Sequence, residues 1–279
     1  MQEEEFYIGY YPNAPNGIVK AIKIVIGAIF AIILLTIFVI TRSEKGFSNS
    51  QFEYGTLTTL EGVLYRQPVP MLRVHTGVDV NGNNLYKSVL LVNFNKFGAD
   101  DLLMAYTKKG VSESESLVKL RGTLIYYNGV TVMELTEQEN ALLSHSNPIC
   151  GINSNQKTLT FELNKAPNLY DIRKKTLIGE ATLNGEIIDP KCFFGSMKPG
   201  FGKPHRDCAI RCISGGIPPV FALKNPSGEM NYLLITGQKG EAINQQLLEY
   251  VGIPTQLKGT IERIDEWFVL RVKINSIRL

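Results

Sequence analysis

Cys192, Cys208 and Cys212, three of the chain's four cysteines, fall within 21 residues, and His205 sits among them. Three thiolates and one imidazole make a chemically sensible tetrahedral set for zinc or another thiophilic metal. The set works only if the local chain makes the four side chains converge. Pro204 suits the first turn of a helix and Gly215-Gly216 followed by Pro218-Pro219 suits its end, so HRDCAIRCIS (205–214) is predicted to be helical. At i, i+3 and i+7, His205, Cys208 and Cys212 then share one helical face. Cys192, expected at the end of the preceding strand, must swing onto that face. Asp189 is placed to cap the turn.

The same residues admit other chemistry. A disulfide from Cys192 to Cys208 or Cys212 would pin the segment in an oxidising compartment and leave His205 at the surface. Reduced, buried cysteines beside a solvated histidine are the plainest reading. A copper centre would draw on Cys208, Cys212, His205 and Met197, because soft sulfur ligands suit copper. A binuclear copper site would need a second nearby histidine, and His75 and His145 belong to other segments. Reactive thiols are a further reading, with His205, Arg206 and Arg211 close enough to favour a thiolate. Covalent haem lacks its C-x-x-C-H, and a Rieske cluster lacks its second histidine. No Ser/His/Asp triad or phosphate loop is legible, so a non-enzymatic role is preferred while enzyme activity stays open. Gly195, Pro199, Gly200 and Gly202 read as turn residues, and Lys198, Lys203, Arg206 and Arg211 as a solvated rim. Cys150 stands apart and reads as a small buried or linker residue.

The elements that must position these residues form a weak internal repeat. One copy opens with T-L-E-G (59–62) and closes with L-R-G-T-L (120–124); the other opens with T-L-N-G (182–185) and closes with L-K-G-T-I (257–261). Between the marks lie apolar, β-branched runs, SVLLVNF (88–94) and NYLLITG (231–237), which read as strands. Hairpins follow each closing glycine, turning at Asn128-Gly129 in the first copy and near Asp265-Glu266 in the second. In the last strand Val269, Arg271 and Lys273 oppose Leu270, Val272 and Ile274, which predicts one buried and one largely wet face. Short strands, a helix-like stretch over 241–250 and glycines at strand kinks together predict two tandem OB-like small β-barrels in a mainly β protein. Gly62 precedes Gly122 by 60 residues and Gly185 precedes Gly259 by 74, so the second copy carries 14 more. They are assigned to an insertion at 189–219, which holds the cysteines. Its length in a compact β-module marks it as functional.

Near the N-terminus, IVIGAIFAIILLTIFVI (24–40) carries no charge. With Lys20 and Lys23 snorkelling, a single transmembrane helix at 18–40 is long enough to cross ~30 Å of hydrocarbon. TRSEKGF after Ile40 offers no small-residue cleavage site, so an uncleaved anchor is preferred to a signal peptide. Phe6, Tyr7, Tyr10 and Tyr11 before it suit an interfacial aromatic belt. Lys20 and Lys23 on one flank balance Arg42 and Lys45 on the other, so charge leaves the orientation open; a short cytoplasmic N-terminus with the soluble part outside is preferred. The division that follows is a tail (1–17), the helix (18–40), a linker (41–52), a first OB-like module (53–142), a connector (143–175) with one alternating run (159–164), and a second module (176–279).

Overall composition is ordinary, with 20% charged and 44% hydrophobic residues and a net charge of +3. That balance argues against a nucleic-acid partner, although Phe193, Phe194 and Trp267 could stack bases on an OB module. The pattern Cys…H-x-x-C-A-x-x-C…G-x-P-P, read from Cys192, His205, Cys208, Cys212 and 216–219, resembles a motif of uncharacterised bacterial membrane-anchored proteins. It covers about 30 residues strongly and the C-terminal module loosely. The resemblance implies a bacterial source and marks the same four residues, without naming an activity. The expectation is an anchored accessory or assembly subunit of a bacterial inner-membrane complex, of respiratory or other redox type, whose soluble part is periplasmic. Its partners are the bilayer and a membrane-protein complex, and its insertion is stapled by zinc or by a disulfide. The alternative is a thiol- or metal-based electron-transfer protein.

Overall fold

The computed structural model describes residues 16–43, 50–111, 116–137, 140–146, 173, 175–225 and 230–279. Tyr7 and its aromatic neighbours, residues 44–49 of the 41–52 linker, Cys150 and the alternating run at 159–164 lie outside them. The chain forms two compact units, Met1–Ser48 and Asn49–Leu279.

Among the described residues the first unit contains one helix, α1 (Asn16–Ser43), longer at each end than the 18–40 span. Its stretch Gly17–Val39 is long and apolar enough to cross a membrane, and none of that stretch is buried. At 1.5 Å per residue the stretch spans about 35 Å. The one hydroxyl near its end is satisfied internally, as Thr36 Oγ1 donates to the Ile32 carbonyl at 2.8 Å.

The second unit is mainly β. Its N-terminal module contains β1 (Ser50–Phe52), β2 (Thr58–Tyr65), β3 (Met71–Val78), β4 (Asn84–Val92), α2 (Asp100–Lys108), β5 (Ser116–Tyr127), β6 (Val130–Leu135) and β7 (Leu142–Ser146). The C-terminal module contains β8 (Lys175–Ile188), α3 (Arg206–Ser214), β9 (Val220–Lys224), β10 (Met230–Gly237), the short α4 (Asn244–Leu247), β11 (Pro254–Ile264) and β12 (Trp267–Val272). Here β10, β12, β11, β8 and β9 close into a barrel in which β10 and β12 run parallel. The N-terminal module repeats this pairing order: β5–β2–β3–β4–β6, with β4 and β6 parallel and β6 also paired to β5. A helix precedes the penultimate strand of the cycle in both, as expected of an OB-like arrangement. β1 and β7 add to the free edge of β5, so the expected linker ends in a strand and the expected connector begins in one.

The four glycines that mark the repeat have one physical role. A Cβ would lie 2.4 Å from the Arg73 carbonyl oxygen at Gly62, 2.3 Å from that of Glu134 at Gly122, 2.3 Å from that of Ala222 at Gly185 and 2.2 Å from that of Arg271 at Gly259. At each point one strand crosses the next too closely for any side chain.

Apolar residues collect in three clusters. One fills the N-terminal module, around Leu72, Leu91, Leu120 and Met133; another fills the C-terminal barrel, around Phe221, Ile235, Leu257 and Leu270. The third lies between the modules and joins Leu90, Val92, Ile125, Tyr127 and Val132 to Phe193, Phe194, Leu234, Trp267 and Val269. This third cluster explains the unbroken apolar runs: in β4, Val89 and Leu91 point into their own module while Leu90 and Val92 meet the other. It also corrects one residue of the expected wet face of β12, because Val269 is fully buried against the N-terminal module while Arg271 and Lys273 stay partly exposed. Phe193, Phe194 and Trp267 are spent on this contact rather than presented to bases. Tyr127 stacks on Phe194 with centroids 5.0 Å apart, and Trp267 Nε1 donates to the Ser88 carbonyl at 2.7 Å.

Candidate metal centre

The connection from β8 to β9 runs through 189–219, against only 66–70 between β2 and β3, so the insertion lies where expected and exceeds 14 residues. As β8 ends, Asp189 Oδ1 accepts the Cys192 backbone N–H at 2.8 Å and the Asp189 carbonyl accepts that of Phe193 at 3.2 Å. Cys192 therefore stands not on the strand but at the start of a wide π-type turn, Cys192–Ser196, closed by Met197 N–H on the Cys192 carbonyl. Such single turns recur at functional sites, because they re-aim neighbouring side chains. Here Phe193 and Phe194 enter the inter-module cluster while Met197 follows at the rim.

A short 3-10 turn, Lys203–His205, leads into α3. Both ends of α3 are tied to its own barrel: Arg206 Nε donates to the Val251 carbonyl at 3.0 Å, and Asn244 Nδ2 donates to the carbonyls of Ile213 at 2.8 Å and Ile217 at 2.9 Å. The N-terminal module grips the helix end through Gly98 N–H on the Gly215 carbonyl at 2.9 Å. A Cβ at Gly215 would lie 2.1 Å from the Lys96 carbonyl oxygen, which is why that residue is glycine. Two further ties join the segment to the N-terminal module. Buried Lys191 donates to Glu134 Oε1 at 2.6 Å and to the Asn95 carbonyl, and Ser50 Oγ donates to the Phe194 carbonyl.

On this scaffold the sulfurs of Cys192, Cys208 and Cys212 all lie within 4.8 Å of one another. Cys192 and Cys212 are buried, whereas Cys208 is half-exposed. A second group of donor atoms, from Asp189, Cys192 and His205, meets the same criterion and shares Cys192 with the first. The expected Cys3His set thus divides: His205 reaches Cys192 but does not join all three sulfurs. The reason is Asp189, whose Oδ2 lies 3.2 Å from His205 Nε2 and holds the ring on the buried side. His205 is 4% exposed, which overturns its reading as a surface residue. All three cysteines are free thiols, so the disulfide expectation is corrected as well. His145 joins neither group; His75 bonds Asn84 in the β3–β4 hairpin, so the second histidine of a binuclear copper site is absent among the described residues.

Electrostatics make the thiols unequal. Cys192 donates to Cys212, which pushes the Cys192 thiol up; burial and the Asp189 charge push it further. The same hydrogen bond holds Cys212 below its ordinary value, and the Lys96 charge acts in that direction. Lys96 Nζ donates to Cys208 Sγ at 3.4 Å, and the Met197 sulfur lies 3.9 Å from Cys208 Sγ. Lys96 carries the cationic influence expected of Arg206 and Arg211. Arg206 instead bonds backbone carbonyls and leaves the expected solvated rim, whereas Lys203 and Arg211 are exposed as expected, and Lys198 is exposed while donating to the Phe193 carbonyl at 3.2 Å. Sequence reasoning missed Lys96 and Lys191. Nothing around Lys96 marks it, since its role arises only when the modules dock.

Chemically, three thiols and a carboxylate-held imidazole around one buried pivot could hold a thiophilic cation, closed on the Asp189 side and open at Cys208 and Met197. No family model matches the chain, and no curated protein matches it.

Proposed function

We propose that this chain is a membrane-anchored accessory or assembly subunit whose two OB-like modules are joined around a thiolate metal centre. The observation that carries the reading is the convergence of the Cys192, Cys208 and Cys212 sulfurs within 4.8 Å, beside His205 and Asp189. An ion there would tie the turn after β8 to α3, on the face gripped by the Lys96 loop of the other module. It would supply the cross-link of a structural thiolate site, zinc or another thiophilic metal, and so harden a docking surface. Support for the anchor is the length and apolar character of Gly17–Val39 together with the absence of a cleavage motif after it. The motif resemblance favours a bacterial source; an inner-membrane setting with the modules on the periplasmic side, beside a membrane-protein complex of redox type, belongs to the same proposal.

A second reading, electron transfer by the thiols or by the ion, draws support from the hydrogen-bonded Cys192–Cys212 pair, whose two sulfurs are driven in opposite directions. Metal analysis of the full chain, purified without oxygen in mild detergent, separates the two. Stoichiometric colourless metal that is lost in Cys212→Ser supports the staple, and a redox-active visible band supports electron transfer. A metal-free protein whose stability is unchanged by added zinc or copper would remove the metal centre.

A further inference from the structure

We infer that the ion this centre selects is monovalent copper, with Met197 as a thioether ligand on its open side; the inference rests on the reading that the thiol cluster holds a metal. The two donor groups that share Cys192 offer different chemistry. Asp189, Cys192 and His205 form an O/S/N set that suits zinc, whereas Cys192, Cys208 and Cys212 form an all-sulfur set.

Three observations favour the sulfur set. Asp189 is already committed, since one oxygen caps the Cys192 turn and the other holds His205, so metal ligation by its carboxylate would strip the cap from the turn that carries the shared cysteine. Asp189 is also fully buried and His205 nearly so, which leaves an incoming ion no path from that side. On the opposite side Met197 is 49% exposed and its sulfur lies 3.9 Å from Cys208 Sγ. Two sulfurs on one ion at about 2.3 Å each stand about 3.8–4.0 Å apart, so the thioether already sits at the spacing of a shared ion. Zinc gains little from a thioether, whereas monovalent copper is bound well by thiolate and thioether together.

Loading requires no electron transfer. Each thiol that ligates exchanges its S–H bond for a copper–sulfur bond and releases its proton to solvent, and Met197 ligates through a lone pair. Met197, as the accessible sulfur, is where the ion enters and leaves, so the site suits exchange with another sulfur-rich copper carrier.

The full chain in mild detergent is titrated without oxygen, once with copper(I) against a chromophoric copper(I) chelator and once with zinc against a zinc chelator, with circular dichroism recorded for every variant. Met197→Leu keeps the side-chain volume; it is expected to weaken copper(I) by at least the about tenfold that loss of an outer-shell partner costs, and to leave zinc unchanged. Equal copper(I) affinity in Met197→Leu, or equal losses for both metals, overturns the inference while leaving the metal centre standing. Full copper(I) and zinc binding by Cys192→Ser and Cys212→Ser, in folded protein, would overturn the centre itself. X-ray absorption of the copper-loaded protein is expected to show sulfur neighbours only, and a nitrogen or oxygen shell would count against Met197.

Discussion

Asp189 shows how one side chain can hold a site together without being its reactive group. It caps the turn that carries Cys192 and orients His205, so its removal acts on two elements at once. Asp189→Ala is expected to destabilise the fold by about 1–3 kcal/mol, since a cap and a buried hydrogen bond are both lost. Asp189→Asn keeps an acceptor for the cap and is expected to cost less; urea denaturation of both variants checks the order. Away from the centre, Glu266 accepts the Ser88 backbone N–H at 2.8 Å, and burial pushes its carboxyl above the ordinary glutamate range, reinforced by the Asp265 charge. A carboxyl whose folded pKa is raised favours folding while protonated, so its contribution is complete below the unfolded value and is lost as pH rises through the folded one. Glu266→Gln keeps the acceptor and removes the charge. It is expected to raise the melting temperature by about 2 °C at pH 8 and to lose that advantage near pH 4, where the wild-type carboxyl is protonated too. A gain that persists or grows at low pH would rule out the buried charge as its cause.

At the scale of elements, α3 is positioned by its ends. Asn244 satisfies two carbonyls at its C-terminus, and the following Gly215 lets the Asn93–Gly98 stretch of the other module come close. Gly215→Ala places a methyl against the Lys96 carbonyl, so it should cost about 2–3 kcal/mol and displace Lys96 from Cys208. Asn244→Ala should cost about 1–3 kcal/mol without disturbing the Lys96 loop. Comparing the two by denaturation and by thiol reactivity of Cys208 separates loss of helix support from loss of inter-module contact. If Gly215→Ala is neutral by both measures, the close approach does not constrain the site. The helix itself was legible from Pro204 and Gly215-Gly216, because helix starts and stops are written in adjacent residues. The turn at Cys192 was not, since the expected strand continued beyond Ile188 and only Asp189 hinted at a cap.

Across the whole second unit, the two modules share an apolar cluster of buried residues at least as large as either of their own. Arg173, near the end of the connector, adds a polar tie, donating to Asp265 Oδ2 at 3.1 Å and to the Gln67 carbonyl at 3.2 Å. Modules that bury this much common surface should unfold together. Calorimetry of the chain is expected to show one cooperative transition for the β-rich part. Trp267→Ala, which removes the largest side chain of the shared cluster and the bond to Ser88, should cost about 3–5 kcal/mol and split that transition in two. Two transitions already present in the wild type would mean that the modules are energetically independent.

The apolar helix, the repeat and the helix of the insertion were written in the sequence because each depends on neighbours in the chain: an unbroken apolar run, period-two strands broken by glycines, and a proline and glycines at helix ends. Gly62, Gly122, Gly185 and Gly259 were legible as marks, although their reason, one strand crossing the next without room for a Cβ, emerged only from the fold. Tertiary structure alone decided that β4 and β12 each give buried residues to two apolar clusters, that Asp189 draws His205 away from two of the sulfurs, and that Lys96 meets Cys208 across 112 residues. Contacts of that span depend on two β-modules packing against each other, and no local preference of the residues involved encodes it.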